Sequence, residues 1–191
     1  MQIWLKSEEI HIVHNLSHNG YSNSDSVVHL EKSGVLYTSN LFTNDGYPSV
    51  RLDRGGSIAQ LIAFAEYFIR EFGADVHLVE PIVPGRGPVA TMQDLREYSS
   101  MLIAVSRRVS DMVTRSFTLK RILELEPTKE FDARWGHGPV SPADFTVQVY
   151  DSIKQDLAKS TTAPAPPGQP AQPGTASHDH SGAPGGAPRK H

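Results

Sequence analysis

Nine histidines and no cysteine limit the chemistry open to this chain of 191 residues. Without thiols there is no disulfide framework, no thiolate zinc cluster and no cysteine nucleophile, which leaves His, Asp and Glu as the only strong metal ligands. Their spacing does not suit a rigid centre. His11, His14 and His18 come early with no aspartate suitably placed among them, and His29 and His77 fall in strand-like runs as partly buried structural residues. His137 sits in the turn Trp135-Gly-His-Gly138. His178-Asp-His180 can chelate a transition metal weakly, as flexible His-bearing segments do, but lacks the surrounding support that orients a catalytic ligand. Two glycine clusters, Gly55-Gly56 and Gly85-Arg86-Gly87, have neither the Lys-Ser/Thr of a P-loop nor the three spaced glycines of a dinucleotide fingerprint, so both read as tight turns. No Gly-x-Ser-x-Gly elbow offers a serine nucleophile.

The elements that would carry these residues are legible from periodicity. Ile10–Val13, Ser26–Leu30 and Val35–Thr38 are strand-like, with Lys32-Ser-Gly34 as a hairpin turn, and the segment from Met1 to Trp4 also reads as a strand. Ser57 caps a helix whose apolar stripe is Ile58, Leu61, Ile62, Ala65, Phe68, Ile69 and Phe72, ended by Gly73. A short strand, Val76–Val79, follows. Thr91 caps a long helix with Leu95, Tyr98, Leu102, Val105, Val109 and Met112 on one stripe, and Ser141-Pro142 starts a last helix burying Phe145, Val149, Ile153 and Leu157. Strands first, then strand and helices in alternation, predict an α/β layered domain with a small mixed sheet covered by helices. A sheet with one helical layer keeps a second apolar face that something must cover. The ordered domain is expected over 1–158, with a disordered Pro/Gly/Ala-rich tail over 159–191 that has almost no large apolar residue to bury.

A net charge of −3 and a pI near 6.3 exclude the clustered basic surface of a nucleic-acid binder. Charged residues near Met1 exclude a signal peptide there, and no apolar run nears the roughly 20 residues of a spanning helix. No membrane contact and a cytoplasmic location are the resulting expectations.

Several blocks together resemble the second half of the metallo-β-lactamase-fold hydrolase superfamily. They are Asp25-Ser-Val-Val-His-Leu, Gly34-Val-Leu-Tyr-Thr-Ser-Asn-Leu-Phe, Gly46-Tyr-Pro, Gly55-Gly-Ser, Pro84-Gly-Arg-Gly-Pro-Val-Ala-Thr91, Asp94-Leu and Phe131-Asp-Ala-Arg-Trp-Gly136, in the family's order. The resemblance implies the C-terminal half of an αββα sandwich, with a binuclear zinc site at the edge between the halves in the family. The His-x-His-x-Asp-His motif of the first half has no counterpart here. Aligning on Asp25-Ser-Val-Val puts Tyr21, Ser39-Asn40 and Arg86 at the three ligand positions that the second half supplies. A phenol of pKa near 10, a neutral amide and a permanently protonated guanidinium are poor or impossible zinc ligands.

The resemblance therefore implies no catalytic residues and no resident cofactor in the isolated chain, with His18, His178 and His180 the only weak metal candidates. Arg86 either binds an anion or a carboxylate such as Glu80 or Asp53, or points into solvent. The expected function is that of a non-catalytic pseudoenzyme acting by association, as a homo-oligomer or with a separate chain carrying the N-terminal half. Two alternatives stay open: a zinc-dependent hydrolase completed by such a partner, and a truncated remnant of a hydrolase.

Overall fold

The computed structural model describes residues 2–5, 7–14, 26–73 and 81–162. Five strands form one sheet in chain order: β1 Gln2–Leu5, β2 Glu8–His14, β3 Ser26–Leu30, β4 Val35–Tyr37 and β5 Ile82–Val83. The first three pairings are antiparallel and β4–β5 is parallel. The β3–β4 turn falls at the expected Lys32-Ser-Gly34, where Gly34 has φ 65°, a left-handed conformation that costs glycine nothing. β5 has only two residues and no period of its own. It is held by backbone bonds on both sides, from the Leu36 and Thr38 amides to Pro81 and Val83 and by the reciprocal pair between Ile82 and Ala90. The expected strand Val76–Val79 and the expected disordered tail lie outside the described residues, apart from the tail's first residues.

Strand alternation sorts the sheet's side chains onto two faces. Val13, Val27, His29, Leu36 and Ile82 share one face, fixed by the pairs Val13↔Val27, His29↔Leu36 and Leu36↔Ile82. That face meets the helical layer. Ile3, Ile10, Val28, Leu30, Val35, Tyr37 and Val83 share the other.

Helix α1, Ile58–Phe72, buries Ile58, Leu61, Phe64, Ala65 and Phe68, and its Phe72 ring lies 5.0 Å from that of His29. Helix α2, Met92–Thr114, buries the predicted stripe from Leu95 to Val109. Both start as the residues dictate. The Ser57 hydroxyl accepts from the Gln60 amide while Gln60 Oε1 accepts from the Ser57 amide, and Thr91 and Asp94 make the same reciprocal box. Two short helices were not legible beforehand, α3 at Leu119–Glu124 and α4 at Asp132–Trp135. The last helix, α5, spans Pro142–Thr162, four residues beyond the expected limit of the ordered domain. Phe145 and Val149 are fully buried in it and Ile153 partly so. Leu157, expected inside, is 51% exposed, because over residues 154–160 the helix runs past the core and only Asp156 is partly covered.

Asp94 closes the α2 cap and also receives the Arg134 guanidinium at 2.7 Å. Burial alone would raise its carboxyl pKa, but the Thr91 amide and hydroxyl and Arg134 outweigh that and hold it below the usual value. A depressed carboxyl stabilises the fold above its unfolded-state pKa and loses that contribution as pH falls through the folded value. Asp94→Ala should therefore cost about 1 kcal/mol at pH 7, and urea unfolding should show the gap from the parent narrowing as pH drops toward 3. A gap independent of pH would contradict this account.

Candidate functional site

Two glycine-bounded loops meet at the β4–β5 edge of the sheet. The first follows β4 through a 3-10 turn at Ser39–Leu41 and continues through Asn44-Asp-Gly46, and the second is Pro84–Gly87 after β5. Their backbones interlock. Gly85 donates its amide to Phe42, and Asn44 donates to the Arg86 carbonyl at 2.9 Å. A Cβ at Gly85 would lie 2.3 Å from the Ser39 carbonyl oxygen and 2.8 Å from the Asn40 nitrogen, and Gly87 takes φ 97° beside Asn44 and Asp45. Those glycines are required by contact, as the tight-turn reading expects. The structure thus brings two of the three sequence-derived positions, Asn40 and Arg86, into neighbouring loops. Tyr21, the third, lies outside the described residues, as do His18, His178, His180, His77 and Glu80.

Arg86 is paired with a carboxylate, as one of the two sequence-based alternatives has it, but the partner is Asp45 and not Glu80 or Asp53. Its Nε donates to both carboxylate oxygens of Asp45, at 2.8 and 3.0 Å, with the two side chains 36% and 35% exposed. It is neither extended into solvent nor paired with Asp53, which is held by Arg51 through two bonds of 3.0 and 2.9 Å. Local geometry decides the latter, since Arg51 is two residues from Asp53 whereas Arg86 is drawn to the loop that its own backbone already touches. Arg86 Nη2 and Asn44 Oδ1 are buried without hydrogen-bond partners. Asn40 is exposed. A protonated guanidinium, the carboxylate that neutralises it and an amide do not fit a zinc ion, which needs unprotonated N or anionic O donors. Among the described residues one trio of metal-ligating side chains converges, and it lies away from these loops, where β2 meets the end of β3, at Glu9, His11 and Glu31. His137, exposed, places Nε2 3.1 Å from the Ala133 carbonyl oxygen.

A buried support lies under the first loop. The Tyr47 hydroxyl donates to Asp132 at 2.8 Å, and its ring stacks on Phe145 at 4.6 Å. Burial, and then the hydrogen bond to the Asp132 carboxylate, push this phenol's pKa well above its ordinary value. Tyr47 is thereby a neutral donor and no base. The Tyr47 amide donates to the Trp135 carbonyl, drawing α4 and the turn after it against the loop. Asp45 and Tyr47 were not picked out from sequence as site residues. The available signal was their place in the Asn44–Pro48 turn, which does not specify a partner 41 or 85 residues away.

No protein-family model matches the chain, and no curated protein is similar to it in sequence. The structure is similar to part of the sec-alkylsulfatase Pisa1 from Pseudomonas sp., with a TM-score of 0.56 at 15% identity over 87% of this chain and 27% of that one. A double mutant of that enzyme gives 0.51 at 13% identity over the same shares. A metallo-β-lactamase from Pontibacter korlensis gives 0.43 at 12% identity, over 53% of this chain and 45% of that one. The chain therefore spans about a quarter of the alkylsulfatase and under half of the lactamase. At such identities the likeness concerns fold alone, an α/β arrangement shared with part of the alkylsulfatase.

Where the loops meet α4, a Cβ at Gly46 would lie 2.6 Å from the Gly138 Cα. Backbone, not a flexible side chain, is the obstacle. Gly46→Ala should destabilise the fold by about 1–3 kcal/mol in urea unfolding. A loss under about 0.5 kcal/mol, the range of ordinary surface changes, would mean the two turns are not held in contact.

Proposed function

We propose that this chain is a non-catalytic metallo-β-lactamase-type half domain that works by association, packing the outer face of its sheet against the same face of a second copy. The observation that carries this reading is the apolar character of that face. Ile10, Val28, Leu30, Val35 and Val83 are only partly buried there and stand outside the helical core, while Ile3 and Tyr37 are 41% and 43% exposed. Among the described residues no helix lies on it; the aromatic contact of α1 is with the opposite face, at His29.

Complete burial of a Val, Leu or Ile side chain is worth roughly 1.5–3 kcal/mol, so a face of this kind leaves several kcal/mol to be gained by docking. A two-fold pairing of identical faces is self-complementary, and it stacks sheet on sheet with a helical layer outside each. The absence of hydrolytic chemistry in this reading rests on Tyr21, Asn40 and Arg86 as the equivalents of lost ligands, with the Arg86–Asp45 pair occupying the loop edge in place of a metal. No step of a reaction is assigned to them.

Light scattering coupled to size exclusion tests the association. The full chain should elute with twice its 20.9 kDa mass, and Val28→Lys, placing a charge in the middle of the face, should give a monomer with unchanged helical circular dichroism. A monomeric parent chain, or a dimer indifferent to Val28→Lys, overturns the proposal.

A further inference from the structure

The opposite face of the sheet carries a cluster that the association leaves unused. Glu9 and His11 are two apart on β2 and so share the core-side face. Glu31 follows β3 directly. The register Ile10↔Leu30 continues to set it opposite Glu9, and the Glu31 amide donates to the Glu9 carbonyl at 3.0 Å. His11 Nε2 lies 2.9 Å from Glu9 Oε1 and 3.1 Å from Glu31 Oε2, and the three atoms fall within 4.8 Å of one another.

Two physical points distinguish this cluster from an ordinary surface ion pair. Like charges directly opposite on antiparallel strands repel, so Glu9 and Glu31 destabilise the pairing unless a cation sits between them. One imidazole nitrogen carries at most one hydrogen, so His11 Nε2 cannot give each carboxylate a full hydrogen bond.

We propose that Glu9, His11 and Glu31 form a site for a divalent transition cation of the zinc class, bridging β2 and β3. A tetrahedral zinc ion with N and O ligands at about 2.0–2.2 Å has its ligand atoms roughly 3.3–3.6 Å apart, so the two separations to His11 Nε2 need lengthen by only a few tenths of an ångström. Two carboxylates neutralise the ion. The imidazole favours zinc, cobalt or copper over calcium and magnesium, which prefer all-oxygen shells. The Glu31 side chain is 56% exposed, leaving the fourth position open to water. Across the strand pair, Gln2 of β1 lies opposite His11, and the His29 ring is 6.2 Å from the His11 ring. The bound ion acts as a cross-strand pin. None of the three residues lies at the Asn40–Arg86 edge or on the outer sheet face, so the site stands whether or not the chain dimerises.

The test uses the full chain with His178→Asn and His180→Asn, which removes chelation by the tail pair. Titration with zinc chloride should give one ion per chain by calorimetry and raise the thermal unfolding midpoint, and cobalt(II) should give the visible absorption of a tetrahedral centre. His11→Asn and, separately, the more exposed Glu31→Gln should each weaken zinc binding by at least about tenfold, the loss seen even for outer-sphere changes at metal sites. Both should abolish the midpoint shift while leaving the circular dichroism spectrum unchanged. Failure of the tail-altered chain to bind zinc, or binding that survives both substitutions undiminished, overturns the proposal.

Discussion

A β-sheet has two faces, and one layer of helices can cover only one. In this chain that constraint governs the rest of the architecture. α1 and α2 take Val27, Leu36 and Ile82 into a common core with their own stripes, and α5 is laid against both helices. Among the described residues the buried aromatic rings, Phe42, Tyr47, Phe64, Phe68, Tyr98, Trp135 and Phe145, all belong to this one core. The other side of the sheet is built from residue types just as apolar. Chains that retain such a face in solution carry a permanent driving force for sheet-on-sheet contact, non-directional in strength but fixed in geometry by strand twist.

The loop edge follows from a different constraint, close approach of backbone to backbone. Gly85 against Ser39, Gly87 against Asn44 and Asp45, and Gly46 against Gly138 leave no room for side chains between the strands' ends and the turn after α4. With the loops pressed together, Arg86 and Asp45 meet because both project from the same junction. Here a guanidinium and a carboxylate, each about one-third exposed, cancel one another, an interaction worth on the order of 1 kcal/mol or less at that exposure.

What could be read from sequence follows the range over which each feature is determined. α1 and α2 were legible because capping residues and stripe lie within one helix, and Ser57, Gln60, Thr91 and Asp94 do what their spacing implies. The β3–β4 hairpin was legible for the same reason. β5 was not, since a two-residue strand has no period and exists only through the partners on its two sides. α3 was signalled by Thr118, whose hydroxyl accepts from the Arg121 amide, but its six residues are too few to form a stripe. At the edge, the special character of Gly85-Arg86-Gly87 was visible, whereas the identity of its ion-pair partner depends on tertiary placement. The i, i+2 spacing of Glu9 and His11 was likewise present in the sequence. That Glu31 joins them depends on strand register, which no local pattern expresses.

The end of α5 separates two quantities that usually coincide, the boundary of a helix and the boundary of a cooperative folding unit. Up to Ile153 the helix is held by burial and melts with the core. Over Lys154 to Ser160 it is mostly exposed, with Asp156 partly covered and local pairs such as Lys159 with Asp156 at 3.5 Å. Isolated helices of that length are marginal in water. This segment continues a helix already nucleated by the buried part, so it can fray residue by residue at a cost below that of unfolding the domain. Exchange and proteolysis report that local fraying, whereas the midpoint of a denaturation curve reports the core.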